Sequence, residues 1–127
     1  MNRAQEKDRQ AKSLVRLLKL WGYRNDVPIR SLYLEMRAAK RVLDSPPVIF
    51  YWDLHAIFTD ILALPAMNDP SKYDGRRIEP CASAWDLTRA KQATVHAAAW
   101  AQLGAEAERD EDFTSAEYYW RALFAAL

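Results

Sequence analysis

The chain is predicted to be all-α, about five helices in one compact bundle over residues 1–127. Three observations lead there. Apolar residues recur at three- and four-residue spacing, the period of a helix face rather than the alternation of a half-buried strand. The six prolines fall between the periodic segments, where a missing N–H does no damage. Half of the residues are hydrophobic, and a chain of this length buries roughly two-thirds of its unfolded surface, enough for one core and one domain.

The first helix is expected from about Gln5 to Gly22. Ala11, Leu14, Val15, Leu18 and Trp21 make its apolar stripe, widened by Leu17. Lys12, Arg16, Lys19 and Tyr23 share the opposite face. Gly22 is a candidate helix stop, and residues 22–28 read as a turn ending at Pro28. The second helix, about Ile29 to Leu43, is apolar on several sides (Leu32, Leu34, Met36, Ala38, Ala39, Val42, Leu43), which predicts a central position. Ser45-Pro46-Pro47 ends it.

The third helix is expected over about Val48 to Leu64, with Phe50, Leu54, Ile57, Phe58 and Ile61 as its main stripe. Val48–Trp52 alone would also suit a strand, but the helical spacing continues beyond Trp52. Residues 65–82, with Pro65, Pro70, Gly75, Pro80 and Asn68-Asp69, read as a loop. An alanine-rich fourth helix starts near Ser83, with Asp86 three residues on in a capping pattern, and reaches Arg109. The fifth starts near Thr114, Glu117 completing Thr-x-x-Glu, and packs through Tyr118, Tyr119, Trp120, Leu123 and Phe124.

Eighteen Lys+Arg against seventeen Asp+Glu leave a net charge of +1, which excludes a globally basic nucleic-acid coat. The distribution is uneven. Residues 1–41 hold eleven basic and four acidic side chains, and residues 42–127 hold seven and thirteen. The basic end is either a solvated face or a surface that meets phosphates. Cys81 is the one cysteine, so no internal disulfide forms, and it reads as a packed thiol. No secretory leader precedes the first helix and no run is long enough to span a membrane, so a cytoplasmic protein is expected.

Four segments carry a family resemblance. Leu14-Val15-Arg16-Leu17-Leu18-Lys19-Leu20-Trp21 is followed by Pro28-Ile29-Arg30-Ser31-Leu32-Tyr33-Leu34-Glu35. Downstream come Gly75-Arg76-Arg77-Ile78-Glu79-Pro80-Cys81-Ala82-Ser83 and Ala116-Glu117-Tyr118-Tyr119-Trp120-Arg121-Ala122-Leu123-Phe124. In this order they resemble the C-terminal helical lobe of the cGAS/DncV-like nucleotidyltransferases, the bacterial relatives of cyclic GMP-AMP synthase and oligoadenylate synthase. That lobe has a Lys-x-Trp helix and then a Ser-aromatic-Tyr-Leu-Glu helix. The resemblance covers about residues 11–124.

The resemblance implies a lobe that closes a nucleotide cleft in cyclic-oligonucleotide signalling and antiviral defence. It assigns donor-triphosphate contacts to Lys19 and Ser31, with Arg16 and Tyr33 as further base or phosphate contacts. The physics of the segment agrees. Lys19 lies on the polar stripe of its helix, and Ser31 lies near a helix start, whose unpaired N–H groups and dipole favour an anion. Taken alone, a surface lysine and a helix-start serine are commoner readings of these residue types.

Two departures stand out. The family's base-stacking aromatic after the serine is Leu32 here. Tyr33 points about 100° away on the helix, and a core role with its hydroxyl at the surface suits it better. The Gly-Ser hairpin and the carboxylates that hold two Mg²⁺ in the family's catalytic lobe are also missing. Asp110-Glu111-Asp112 reads as a solvated cap between helices, and Asp53, His55 and His96 do not make a metal set. No residue is therefore assigned a catalytic or metal-binding role, and Mg²⁺ and nucleoside triphosphate are expected only together with the missing lobe. Two charge-assisted hydrogen bonds contribute about 1.5–3 kcal/mol each. That is near the approximately 4 kcal/mol of a millimolar complex before ordering costs, so nucleotide binding by this chain alone is expected to be weak.

The competing reading is a helical protein-interaction module that binds a partner subunit, supported by the five tryptophans. A nucleic-acid binder using Lys12, Arg16, Lys19, Arg24 and Arg30 ranks below it, since no base-reading motif accompanies those cations.

Overall fold

The computed structural model describes residues 3–44, 50–61, 66–68 and 77–124. They form five helices: α1 (Arg3–Arg24), α2 (Ser31–Asp44), α3 (Phe50–Asp60), α4 (Ala84–Arg109) and α5 (Phe113–Phe124). The all-α expectation holds. Inside the segment expected to be pure loop, β1 (Met67–Asn68) pairs antiparallel with β2 (Arg77–Ile78), Met67 opposite Ile78. Ser45-Pro46-Pro47, Gly75, Arg76 and the outer residues of the expected third helix lie outside the described residues.

Consecutive helices pack on one another, and α5 returns to α1, so the bundle closes into a ring. The core includes the stripes the periodicity marks, Leu14, Leu18 and Trp21 from α1 and Leu54, Ile57 and Phe58 from α3 with Ile61 just beyond its end, joined by residues of α2, α4 and α5. Trp21 meets Phe58 edge-on, ring centroids 4.8 Å apart, a favoured aromatic geometry. The opposite face of α1 is solvated: Lys12, Arg16 and Lys19 are exposed, and Tyr23 is 87% exposed.

The position expected for α2 needs correction. Tyr33, Leu34, Ala38 and Val42 are buried, but Leu32 and Leu43 are 50% and 68% exposed. One face meets α1 and α3 and the other meets solvent. Overall apolarity overstated its burial because the residues on its outer face are also leucines. The helix with neighbours along its length is α4, about 39 Å long at 1.5 Å per residue. Its buried side is small (Ala90, Thr94, Ala97, Ala101, Gly104, Ala105), which lets α3 and α5 come close.

Gly104 marks one such close approach. A Cβ there would sit 2.9 Å from Cε2 and Cζ2 of Trp120. The indole is held at the same edge, with Nε1, bonded to Cε2, donating to Glu108 Oε1 one turn along α4 at 3.2 Å.

Two helix ends share one device. At the end of α1, Val27 N–H bonds Gly22 C=O at 2.9 Å and Asp26 N–H bonds Tyr23 C=O at 3.3 Å. At the end of α4, Asp112 N–H bonds Ala107 C=O at 2.9 Å and Glu111 N–H bonds Glu108 C=O at 3.1 Å. Both are Schellman motifs, which call for a left-handed residue. That residue is Asp26 (φ 52°) in one and Glu111 (φ 59°) in the other. Gly22 is therefore not the helix stop: it lies inside the cap, and a Cβ on it would make only ordinary contacts at 3.9 Å and beyond.

The fourth-helix cap holds as read, with Asp86 N–H donating to Ser83 Oγ at 3.1 Å. The fifth helix starts earlier than expected. Its cap is Asp112, whose Oδ1 accepts from Ser115 N–H at 3.2 Å and whose carbonyl accepts from Ala116 N–H. The hydrogen bonds from Ser115 hold the Asp112 carboxyl below its usual pKa. Thr114 is already inside the helix, because the left-handed Glu111 fixes where the chain can turn.

Both close-packed glycine and left-handed glutamate make stability measurable. Gly104→Ala gains about 0.5–1 kcal/mol of helix propensity but overpacks against a pinned indole at about 1–3 kcal/mol, so urea denaturation should show net destabilisation. Glu111→Gly relieves a left-handed non-glycine residue and should raise stability by about 0.5–1 kcal/mol in the same assay.

Candidate functional site

The Schellman cap at Asp26 turns the chain, and Pro28 fixes its own φ and restricts Val27 to extended backbone. Ile29 N–H bonds Val27 C=O at 2.8 Å, and Arg30 N–H bonds Pro80 C=O at 2.8 Å. The second bond fastens the start of α2 to the segment before α4. The result is an open groove of about 410 Å³ between the end of α1 and the start of α2, lined among others by Lys19, Tyr23, Asp26, Ile29, Ser31 and Leu34. The two residues assigned to phosphate thus line the same concavity. Ser31 is the first residue of α2, and first-turn amides have no partner within their own helix.

Lys19 also has a partner that spacing did not reveal. Its Nζ lies 2.7 Å from Glu35 Oε1, and the two side chains are 42% and 44% exposed. Glu35 stands four residues after Ser31, on the same face of α2. A second carboxylate, Asp26, lies in the groove and reaches Arg89 Nη2 at 3.9 Å. The groove therefore combines one lysine, the hydroxyls of Ser31 and Tyr23, a helix start and the Asp26 carboxylate, and Glu35 beside it offsets the lysine.

The other assigned contacts do not join it. Arg16 is exposed on α1 but outside the groove lining. Tyr33 is fully buried, so its ring offers no face for a base to stack on. Its hydroxyl does not reach the surface as an open polar tip: it accepts from Arg37 Nε at 3.2 Å, and the guanidinium sits 5.3 Å from the ring centroid. Burial pushes the Tyr33 pKa up, with the Arg37 hydrogen bond opposing. Of the five cations considered for nucleic acid, Arg24 departs from the row; it lies with Leu17 and Leu20 on another groove.

The remaining chemistry-bearing residues have structural surroundings. Asp110 caps α4, Glu111 is its left-handed turn residue and Asp112 caps α5. Cys81 is buried, and burial, with the nearby Asp86 carboxylate, raises its pKa against the opposing pull of Arg30. Asp53 is buried and accepts from Arg41 Nε at 2.7 Å through Oδ1, while its Oδ2 has no hydrogen-bond partner among the described residues. Among the described residues no three His, Cys, Asp or Glu side chains gather as a metal-holding group. No helix among them is long and apolar enough to cross a membrane.

Two features escaped sequence reasoning. Arg37, Lys40 and Arg41 of α2 and Asp60 of α3 line a small cavity of about 50 Å³, and the i, i+3, i+4 spacing of those cations was the available signal. A wider groove of about 440 Å³ between α1 and α5 is lined by Leu17, Leu20, Phe113, Trp120 and Phe124 together with the charged Arg24, Glu108, Glu117 and Arg121.

Compared with models of known families, with curated proteins and with solved structures, the chain matches none.

Removing Arg41 would leave the buried Asp53 carboxylate without its counter-charge. Arg41→Ala should therefore cost about 3 kcal/mol in urea denaturation.

Proposed function

We propose that this chain is the nucleotide-contacting helical lobe of a nucleotidyltransferase of the cyclic-oligonucleotide, anti-phage signalling type, working in the cytoplasm. The shared groove of Lys19 and Ser31 supports this most directly. Residues twelve apart in sequence converge on one concavity, with an ammonium group on one wall and a helix start on the other. These groups suit the phosphates of a nucleoside triphosphate. The four ordered segments that resemble the family's lobe are the other support.

The lobe is not catalytic alone. Its role is to bind and orient phosphate, while a catalytic nucleotidyltransferase lobe supplies the acids, the Mg²⁺ and the rest of the nucleotide site. Leu32, at the family's stacking position, is half exposed and aliphatic. It gives up the roughly 1–3 kcal/mol that an aromatic contributes per stacked base, so affinity here rests on phosphate.

The second reading, an interaction module for a partner subunit, is favoured by the apolar groove between α1 and α5. Phe113 on its wall is 62% exposed and Leu20 is 39% exposed, and apolar surface gathered in a concavity suits a protein partner.

The first reading is tested by titrating the chain with ATP and following backbone amide shifts by NMR. Shifts should concentrate at residues 19–35, and Lys19→Ala should weaken binding about tenfold or more. Binding unchanged by Lys19→Ala would refute the phosphate role.

A further inference from the structure

We infer that Glu35 is an internal competitor for the phosphate site: its carboxylate occupies the Lys19 ammonium until a polyphosphate displaces it. The inference rests on the proposed function and adds to it a residue that sets the site's affinity. Lys19 Nζ and Glu35 Oε1 are 2.7 Å apart, close enough for a charge-assisted hydrogen bond. Both side chains are about half open to water, so the pair can break without exposing a buried charge.

Position makes the competition direct. Ser31 and Glu35 are one helical turn apart on α2, so the hydroxyl that would touch phosphate and the carboxylate that holds the lysine project from one side of one helix. A phosphate bridging Ser31 and Lys19 takes the ammonium from Glu35. Asp26, lining the same groove, adds a second negative charge that is fully exposed and screened by water, and its contact with Arg89 is long at 3.9 Å. An anion entering the groove thus meets a lysine already neutralised and carboxylates that repel it. A chain of linked phosphates overcomes this better than a single small anion, because it reaches the lysine and the first-turn amides together, and the added contacts offset a repulsion that itself grows with charge. The ligand class is therefore a polyphosphate chain.

The test uses the whole chain and inorganic tripolyphosphate, with backbone amide shifts and the Lys19 side-chain signals as readouts. Wild type, Glu35→Gln, Lys19→Ala and the double variant are titrated. Glu35→Gln keeps the shape and removes the competing charge. It should tighten tripolyphosphate about two- to fivefold, the worth of an exposed ion pair, and move the Lys19 signals before ligand is added. In the Lys19→Ala background the same change should give a smaller gain, since only long-range repulsion remains to be relieved. If Lys19→Ala abolishes binding while Glu35→Gln leaves it unchanged or weaker, the competitor role is overturned and the phosphate site stands. If tripolyphosphate shifts no amide of residues 19–35 in any variant, the proposed function fails and the competitor with it.

Discussion

The left-handed turn at Asp26 is the constraint on which the candidate site depends. The last carbonyls of α1 must be satisfied as the chain leaves the helix, and the Schellman bonds from Asp26 and Val27 do this only if the backbone reverses there. The reversal, Pro28 and the bond from Arg30 N–H to Pro80 C=O deliver the start of α2 beside the last turns of α1. Without it Lys19 and Ser31 would be two unrelated surface residues. The turn also has an anchor from the far end of the chain: Asn25 Nδ2 donates to Trp21 C=O and to Leu123 C=O, each at 3.0 Å. The corner that shapes the groove is thereby tied to the last helix.

A division of labour arises from side-chain size. On α4 the inward residues are mostly alanine, with Gly104 where Trp120 lies against the helix. Large side chains on α3 and α5 fill the space these small ones leave, so α4 acts as a spine that specifies spacing more than it supplies hydrophobic area. On α1 the arrangement is reversed: leucines and Trp21 face inward and the cations face out. Part of the basic excess before residue 42, the Lys12–Arg16–Lys19 row, thus becomes an exposed face that ends at the groove, while Arg37 and Arg41 of α2 turn to Tyr33 and Asp53.

The parts of the fold written in short-range patterns were legible. The stripe Leu14–Leu18–Trp21, the solvated Lys12–Arg16–Lys19 row and the Ser83 cap each depend on residues within a turn or two of one another. What was not legible depends on the relative rotation and height of two helices. The Lys19–Glu35 pair joins residues sixteen apart, and the contact between Gly104 and Trp120 needs two helices in register; no single-helix period encodes either. Tyr33 illustrates both sides: its core role comes from the helix face, while its bond to Arg37, one turn away on α2, required seeing which rotamers the core leaves open. The α5 cap shows competition between two adequate signals. Thr114 and Asp112 are both good cap residues, and the left-handed Glu111 decides for Asp112. The α2 stripe shows a limit of apolar counting, since Leu32 and Leu43 have a buried residue's character at exposed positions.

Lys19 and the opening turn of α2, taken as one anion-accepting groove, are tested most directly by a crystal structure of the chain soaked with a non-hydrolysable nucleoside triphosphate. Phosphate density is expected between Lys19 Nζ and Ser31 Oγ, with the Glu35 carboxylate swung away from the ammonium. Triphosphate seated instead on Arg37, Lys40 and Arg41, with the Lys19–Glu35 pair intact, would contradict the shared groove.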